Sequence, residues 1–129
     1  MTTQAEALAA TTAAIKRDIL ASPGILLDCK RQVGKTTAIL ELIHDQHQGR
    51  AAYVTFKRDL ALMARGTYFR RWPQGESPLF TSDPEKLRGR LLPIYVDEWW
   101  LLSSGHMHDL AASVADSQIV AMVGTRGLG

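Results

Sequence analysis

Cysteine is almost missing from this chain: Cys29 is the one instance in 129 residues. That excludes an intramolecular disulfide and any cysteine-based zinc site, and it suits a reducing compartment. There is no apolar run long enough to span a bilayer, and the N-terminus lacks the basic start and apolar stretch of a secretory signal. Neither membrane spanning nor export is therefore expected. Internal repeats are absent, as is low-complexity sequence beyond an Ala/Thr-rich start. What is present, 46% apolar and 22% charged residues, is ordinary globular composition, and the length suits a single domain, residues 1–129, with a real core.

The net charge of +2 is unevenly spread. Residues 51–90 hold Lys57, Arg58, Arg65, Arg70, Arg71, Lys86, Arg88 and Arg90 against Asp59, Glu76, Asp83 and Glu85, whereas residues 91–129 hold only Arg126 against four acids. The middle of the chain is thus expected to form a basic face, either a solvated surface or one that meets a nucleic-acid backbone or a neighbouring subunit's nucleotide.

The chain is organised around Ile25 to Ile43, an apolar run, a polar loop ending in Gly34-Lys35-Thr36, and a helix-forming segment. A strand, a tight turn and a helix in that order aim backbone N–H groups and the helix dipole at one point, which is how a phosphate is cradled. Residues Arg31, Gln32, Val33, Gly34, Lys35, Thr36 and Thr37 are the expected nucleotide-binding set. Lys35 supplies a point charge to the β/γ-phosphates, Thr36 a hydroxyl for Mg²⁺, and Thr37 is a weaker candidate ligand. The first glycine of the usual G-x-x-x-x-G-K-[ST] pattern is replaced by Cys29.

Around this unit the spacing predicts alternating helices and strands. Thr3 and Glu6 have capping-box spacing for an Ala-rich helix ended by Ser22-Pro23-Gly24. Ile25–Cys29 is the first strand, Lys35–His47 a helix with Ile39, Leu40, Leu42 and Ile43 inward and Gly49 as C-cap, and Ala51–Phe56 the second strand. A helix over Lys57–Arg65 is expected to bury Leu60, Leu62 and Met63 and to stop at Gly66; residues 67–90 then read as an irregular basic loop, with Asp83-Pro84-Glu85 starting a short helix. Leu92–Asp97 is the third strand, Gly105 or His106 to Ala115 a helix, and Gln118–Val123 a fourth strand. The alternation predicts a three-layer α/β/α sandwich with a mainly parallel sheet of four or five strands. Ligands then bind beyond the carboxyl ends of the strands, where the unusual residues fall.

The second half of such a site is the strand ending in Asp97-Glu98. Asp97 is expected to hold the Mg²⁺ with Thr36, and Glu98 to polarise the water that attacks the γ-phosphate. Adjacent strand residues face opposite ways, so the assignment requires the strand end to twist. Thr125 is a candidate γ-phosphate sensor, and Trp99-Trp100 are expected to pack on the core and the long loop. His106 and His108 have H-x-H spacing but no further ligand set, and Cys29 reads as a tolerated small residue.

Cys29 to Thr37, with Arg31-Gln32 before Val33-Gly34-Lys35-Thr36, resembles the phosphate loop of the large terminase subunits of tailed bacteriophages; Ile94 to Glu98 resembles that family's acidic strand, and Val123 to Gly127 lies where its coupling motif falls. The resemblance covers roughly residues 15–129. It implies a RecA-like P-loop NTPase core in which the last strand separates the two motif-bearing strands, without the family's nuclease domain. It implies Mg²⁺-dependent ATP hydrolysis coupled to handling or packaging double-stranded DNA, with Glu98, Lys35 and Arg31 catalytic. Arg31 then acts in cis on the γ-phosphate, and Arg70 or Arg71 in trans within a homo-oligomer or a larger viral assembly. The implied location is the cytoplasm, that of a bacterial host for a phage protein. The family's adenine-contacting glutamine has no counterpart here, since Lys16-Arg17 occupies that region, and Gly124 and Arg126 depart from the usual coupling motif. Two other readings stand beside this one: a nucleotide-gated assembly module with little or no hydrolysis, and a small nucleoside-kinase-like phosphotransferase without that family's zinc-binding cysteines.

Overall fold

The computed structural model describes residues 4–21, 25–29, 35–98, 104–115 and 118–125. Four helices, α1 (Gln4–Ala21), α2 (Lys35–His47), α3 (Arg58–Arg71) and α4 (Ser104–Ser113), alternate with five strands. These are β1 (Ile25–Cys29), β2 (Ala52–Val54), β3 (Leu79–Thr81), β4 (Ile94–Asp97) and β5 (Ile119–Thr125). All pairings are parallel, in the order β1-β5-β4-β2-β3. The last strand therefore lies between β1 and β4, with Cys29 opposite Thr125 and Asp97 opposite Val123.

Alternation along the strands sorts the core into two faces. Tyr53, Tyr95, Ala121 and Val123 pack on one side against Ile15 and Ile19 of α1, Ile39, Leu42 and Ile43 of α2, and Ala64 and Tyr68 of α3. Ala52, Val54, Ile94 and Val96 pack on the other against Leu87 and Leu110. The result is three layers, with α1, α2 and α3 on one face and α4 with a 3₁₀ turn (Pro84–Leu87) on the other. Charges at the surface of the first layer join its helices: Lys16 of α1 donates to Glu41 (3.0 Å) and Asp45 (3.3 Å) of α2, and Arg71 at the end of α3 donates to Glu41 (2.7 Å). Burial alone would raise the Glu41 carboxyl, but the Arg71 and Lys16 bonds hold it below its ordinary value.

Several expected boundaries move. Helix α3 runs through Gly66 to Arg71, so the expected irregular loop over 67–90 begins with a turn and a half of helix, and also contains β3 and the 3₁₀ turn capped by Asp83, whose Oδ1 accepts from Glu85 N–H at 3.1 Å. The buried face of α3 is Ala61, Ala64 and Tyr68, while Leu62 (48% exposed) and Met63 (66%) point outward and Leu60 is intermediate. The row of small residues lets the helix approach α2 and β3, and Tyr68 fills the space beyond it. The basic residues also divide: Lys57 to Arg71 follow α3, whereas Lys86, Arg88 and Arg90 follow the 3₁₀ turn on the opposite side of the sheet, so they do not make one face. Among the described residues no helix is long and apolar enough to cross a membrane.

Candidate nucleotide site

At the carboxyl edge of the sheet, the start of α2 meets the end of β4. Lys35 opens α2 and is buried, 1% exposed, where a lone ammonium would be costly. Its Nζ donates to Glu98 Oε1, an ion pair on a carboxylate that is itself only 12% exposed. Beside it, Thr36 Oγ1 donates to Asp97 Oδ2 at 2.7 Å. Residues 61 to 63 positions apart in the chain thus form two adjacent side-chain pairs.

The twist that the sequence reading required is present. Asp97 ends β4 in extended backbone, and Glu98 follows with φ +54°, in the left-handed region that a side chain with a Cβ rarely adopts. That reversal brings Glu98 to Lys35 although Asp97, the residue before it, already faces Thr36. Holding a glutamate there costs about 1–3 kcal/mol of backbone strain, a cost typically met at functional positions.

Tyr53 was not foreseen. It lies on β2, and its hydroxyl donates to Asp97 Oδ2 at 2.5 Å across 44 residues of sequence. Burial first, and then the neighbouring Asp97 charge, pushes its phenol far above the ordinary value, so it remains a donor at any working pH. The only sequence signal was a hydroxyl-bearing residue at the inward position of a strand otherwise made of Ala and Val. Thr55, just past β2, is likewise buried, and among the described residues its Oγ1 meets no partner.

Asp97 Oδ2 therefore accepts two hydroxyls, while its Oδ1, also buried, has no partner among the described residues. An orphaned buried carboxylate oxygen next to a threonine hydroxyl fits a hard divalent cation, which takes one or two protein oxygens and completes its shell with phosphate and water. Thr36 and Asp97 would hold it. Among the described residues no group of three His, Cys, Asp or Glu forms a cage, and His106 and His108 lie on α4, on the other face of the sheet. The pairs open onto a cavity of about 400 Å³ walled by Tyr53, Thr55, Phe56, Leu60 and Met63.

Arg31, Gln32, Val33 and Gly34 lie outside the described residues, as do Trp99, Trp100 and Arg126. Thr125 is the final residue of β5 rather than part of a following turn. Arg71 is engaged with Glu41 and sits 4.6 Å over the Trp72 ring, and Arg70 is exposed, donating to Thr67 Oγ1 at 3.3 Å beside the cavity. No family model matches the chain, and no curated protein and no solved structure is detectably similar to it.

Proposed function

We propose that the chain binds Mg²⁺-ATP at the junction of α2 and β4 and hydrolyses it, as a small RecA-like P-loop ATPase of the kind the terminase resemblance implies. The observation that carries this reading is the pairing of Lys35 with Glu98 beside Thr36 with Asp97. These are four side chains with the four functions that phosphoryl transfer to water needs: a cation for the phosphates, a base, and two oxygen ligands. The position of β5 between β1 and β4 supports the RecA-like arrangement.

In the mechanism, the Lys35 ammonium leaves Glu98 for the β- and γ-phosphate oxygens. Glu98 then accepts a proton from a water as the water oxygen bonds to the γ-phosphorus and the bond from that phosphorus to the β,γ-bridging oxygen breaks. Thr36 and Asp97 would hold a Mg²⁺ ion, which when bound would supply charge neutralisation on the phosphates, and Tyr53 fixes the Asp97 carboxylate. Arg31 in cis adds charge neutralisation. For an arginine acting in trans, Arg70 is better placed than Arg71, because Arg71 is committed to Glu41. Coupling to double-stranded DNA and assembly into an oligomer or larger viral complex extend the same proposal.

The test is phosphate release from ATP and GTP with Mg²⁺, with and without double-stranded DNA, for the wild type, Lys35→Ala and Glu98→Gln. Turnover that both substitutions abolish supports the ATPase, and stimulation by DNA supports the motor. Binding that Lys35→Ala abolishes, with no hydrolysis under any condition, replaces it with a nucleotide-gated assembly module.

The cavity next to Glu98 favours one second reading, transfer of the γ-phosphate to a hydroxyl acceptor instead of water, with Glu98 taking the acceptor's proton. Its apolar walls and the buried Thr55 hydroxyl suit a small organic molecule better than bulk water. Phosphorylation of a member of a ribo- and deoxyribonucleoside panel, faster than phosphate release, would establish it.

A further inference from the structure

Thr36 and Thr37 are consecutive, yet they open onto different cavities. Thr36 borders the one shared with Asp97 and Glu98, whereas Thr37, about 100° further round the helix, borders a larger one of about 590 Å³ between α1 and α2. The second cavity is a groove whose α1 wall carries Ala9, Ala13 and Leu20, and it is also lined by Arg17 and by the ion pair through which Lys16 and Glu41 join the two helices. Thr12 lines it. This threonine is 5% exposed, and its Oγ1 is buried with no partner among the described residues.

A helical threonine usually satisfies its hydroxyl on the carbonyl one turn back. At Thr12 that bond is not made, so the hydroxyl carries the desolvation cost of an unpaired polar atom, and threonine's two helical χ1 rotamers let it turn to a ligand in the groove. Apolar walls with a few convergent polar groups, here the Thr12 and Thr37 hydroxyls and the charged side chains of Lys16, Arg17 and Glu41, are the chemistry that recognises a flat heterocycle: faces against Ala and Leu, one edge on a hydroxyl. The groove also begins in the right place. Thr37 lies only about 3 Å along the helix axis from Lys35, on the α1 side, while the phosphate-facing pairs lie on the β4 side.

We propose that the α1–α2 groove takes the base and ribose of the nucleotide whose phosphates meet Lys35, with Thr12 hydrogen-bonding the edge of the base. The assignment rests on the nucleotide reading above and gives that site its second half, so that the ligand crosses the start of α2 from one cavity to the other. A helix with no glutamine reader thereby acquires a base contact from a residue the sequence did not single out.

The experiment is calorimetric titration of ATP and of inorganic tripolyphosphate, each with Mg²⁺, into the wild type, Thr12→Val, Ala13→Leu and Lys35→Ala. Ala13 is exposed, so leucine fills the groove without entering the core, and circular dichroism with urea midpoints confirms that each variant folds. The expected result is that ATP binds the wild type more tightly than tripolyphosphate, and that Thr12→Val weakens ATP about tenfold, the loss of one hydrogen bond. Ala13→Leu weakens it further, neither variant alters tripolyphosphate, and Lys35→Ala weakens both ligands. Equal affinity for ATP and tripolyphosphate, or unchanged ATP binding in Thr12→Val and Ala13→Leu, overturns the groove assignment and leaves the phosphate site standing. Binding of neither ligand to the wild type overturns the nucleotide reading, and the groove assignment with it.

Discussion

Glu98 reaches Lys35 only because its own backbone turns into the left-handed region one residue after β4 ends. The pair is nearly enclosed, Lys35 at 1% and Glu98 at 12% exposure. Removing one member takes the ion-pair partner from a charge in a poorly solvated place, while removing both charges does not. Lys35→Ala is therefore expected to lower stability by about 3 kcal/mol, and the double variant Lys35→Met/Glu98→Gln by clearly less than the sum of its singles. Urea unfolding at pH 7 through the full cycle measures the coupling, and strict additivity would contradict an ion pair that matters to the fold.

The same two residues divide binding from chemistry. Glu98→Gln keeps the side chain's size and removes its charge and its ability to take a proton, releasing Lys35 from the ion pair, so nucleotide affinity is expected to hold or improve while single-turnover hydrolysis falls at least about 100-fold, the usual worth of a positioned base. A fall in affinity with an unchanged single-turnover rate would remove Glu98 from the base's role.

Asp97 owes its orientation to Tyr53 as much as to Thr36. Tyr53→Phe keeps the ring in the core and deletes the donor, leaving Asp97 Oδ2 with Thr36 alone. A loss of about 1–3 kcal/mol is expected from deleting one hydrogen bond to a buried carboxylate, accompanied by a higher Mg²⁺ concentration for half-maximal nucleotide binding. Thermal unfolding and an Mg²⁺ titration read the two effects separately; a stability loss with an unmoved Mg²⁺ midpoint would confine Tyr53 to packing.

How far the sequence anticipates this structure depends on how local each feature is. The bounds of α2, its buried Ile39, Leu40, Leu42 and Ile43, and β1 follow from patterns within a few residues of one another. The acids at the end of β4 follow from an apolar run that stops at Asp97, and the turn at Glu98 was a requirement of their shared role before it was an observed angle. Tyr53 and Thr12 escaped because their roles are non-local: one hydroxyl meets a carboxylate 44 residues away, and the other is conspicuous only when its surroundings supply no partner. Strand β3 escaped because three residues, Leu79 to Thr81, with Pro78 before them and Pro84 beyond, give too short a pattern to read. Its pairing with β2 is a tertiary choice.

His47 gives the fold a pH dependence. Burial lowers its pKa from the ordinary 6.5, and its Nε2 lies 2.8 Å from the Tyr95 hydroxyl, which burial pushes up to about 12. The folded state thus binds this proton less readily than the unfolded chain does. Stability from this residue is complete above about pH 6.5 and declines as pH falls through that value toward the lower folded pKa. Glu41 and Asp45, whose carboxyls are held below their ordinary values, lose their contributions only at lower pH. Urea midpoints between pH 7.5 and 5 are expected to fall in the wild type and to flatten in His47→Gln; equal slopes would place the loss elsewhere.

Two glycines that look alike in sequence should respond oppositely to alanine. Gly49 closes α2 with φ +86°, its N–H on the Ile43 carbonyl at 3.0 Å, and a Cβ there would stand 2.5 Å from the Glu76 carbonyl oxygen. Neither the angle nor the backbone oxygen can yield, so Gly49→Ala is expected to cost about 2 kcal/mol or more. Gly66 carries the same punctuation in the sequence, yet it sits inside α3, where a Cβ meets nothing within 4 Å. There alanine removes the conformational freedom that glycine adds to the unfolded chain, and Gly66→Ala is expected to stabilise by about 0.5–1 kcal/mol. Thermal midpoints moving in opposite directions would confirm that α3 is continuous through Gly66; destabilisation of both would mean that the helix ends there.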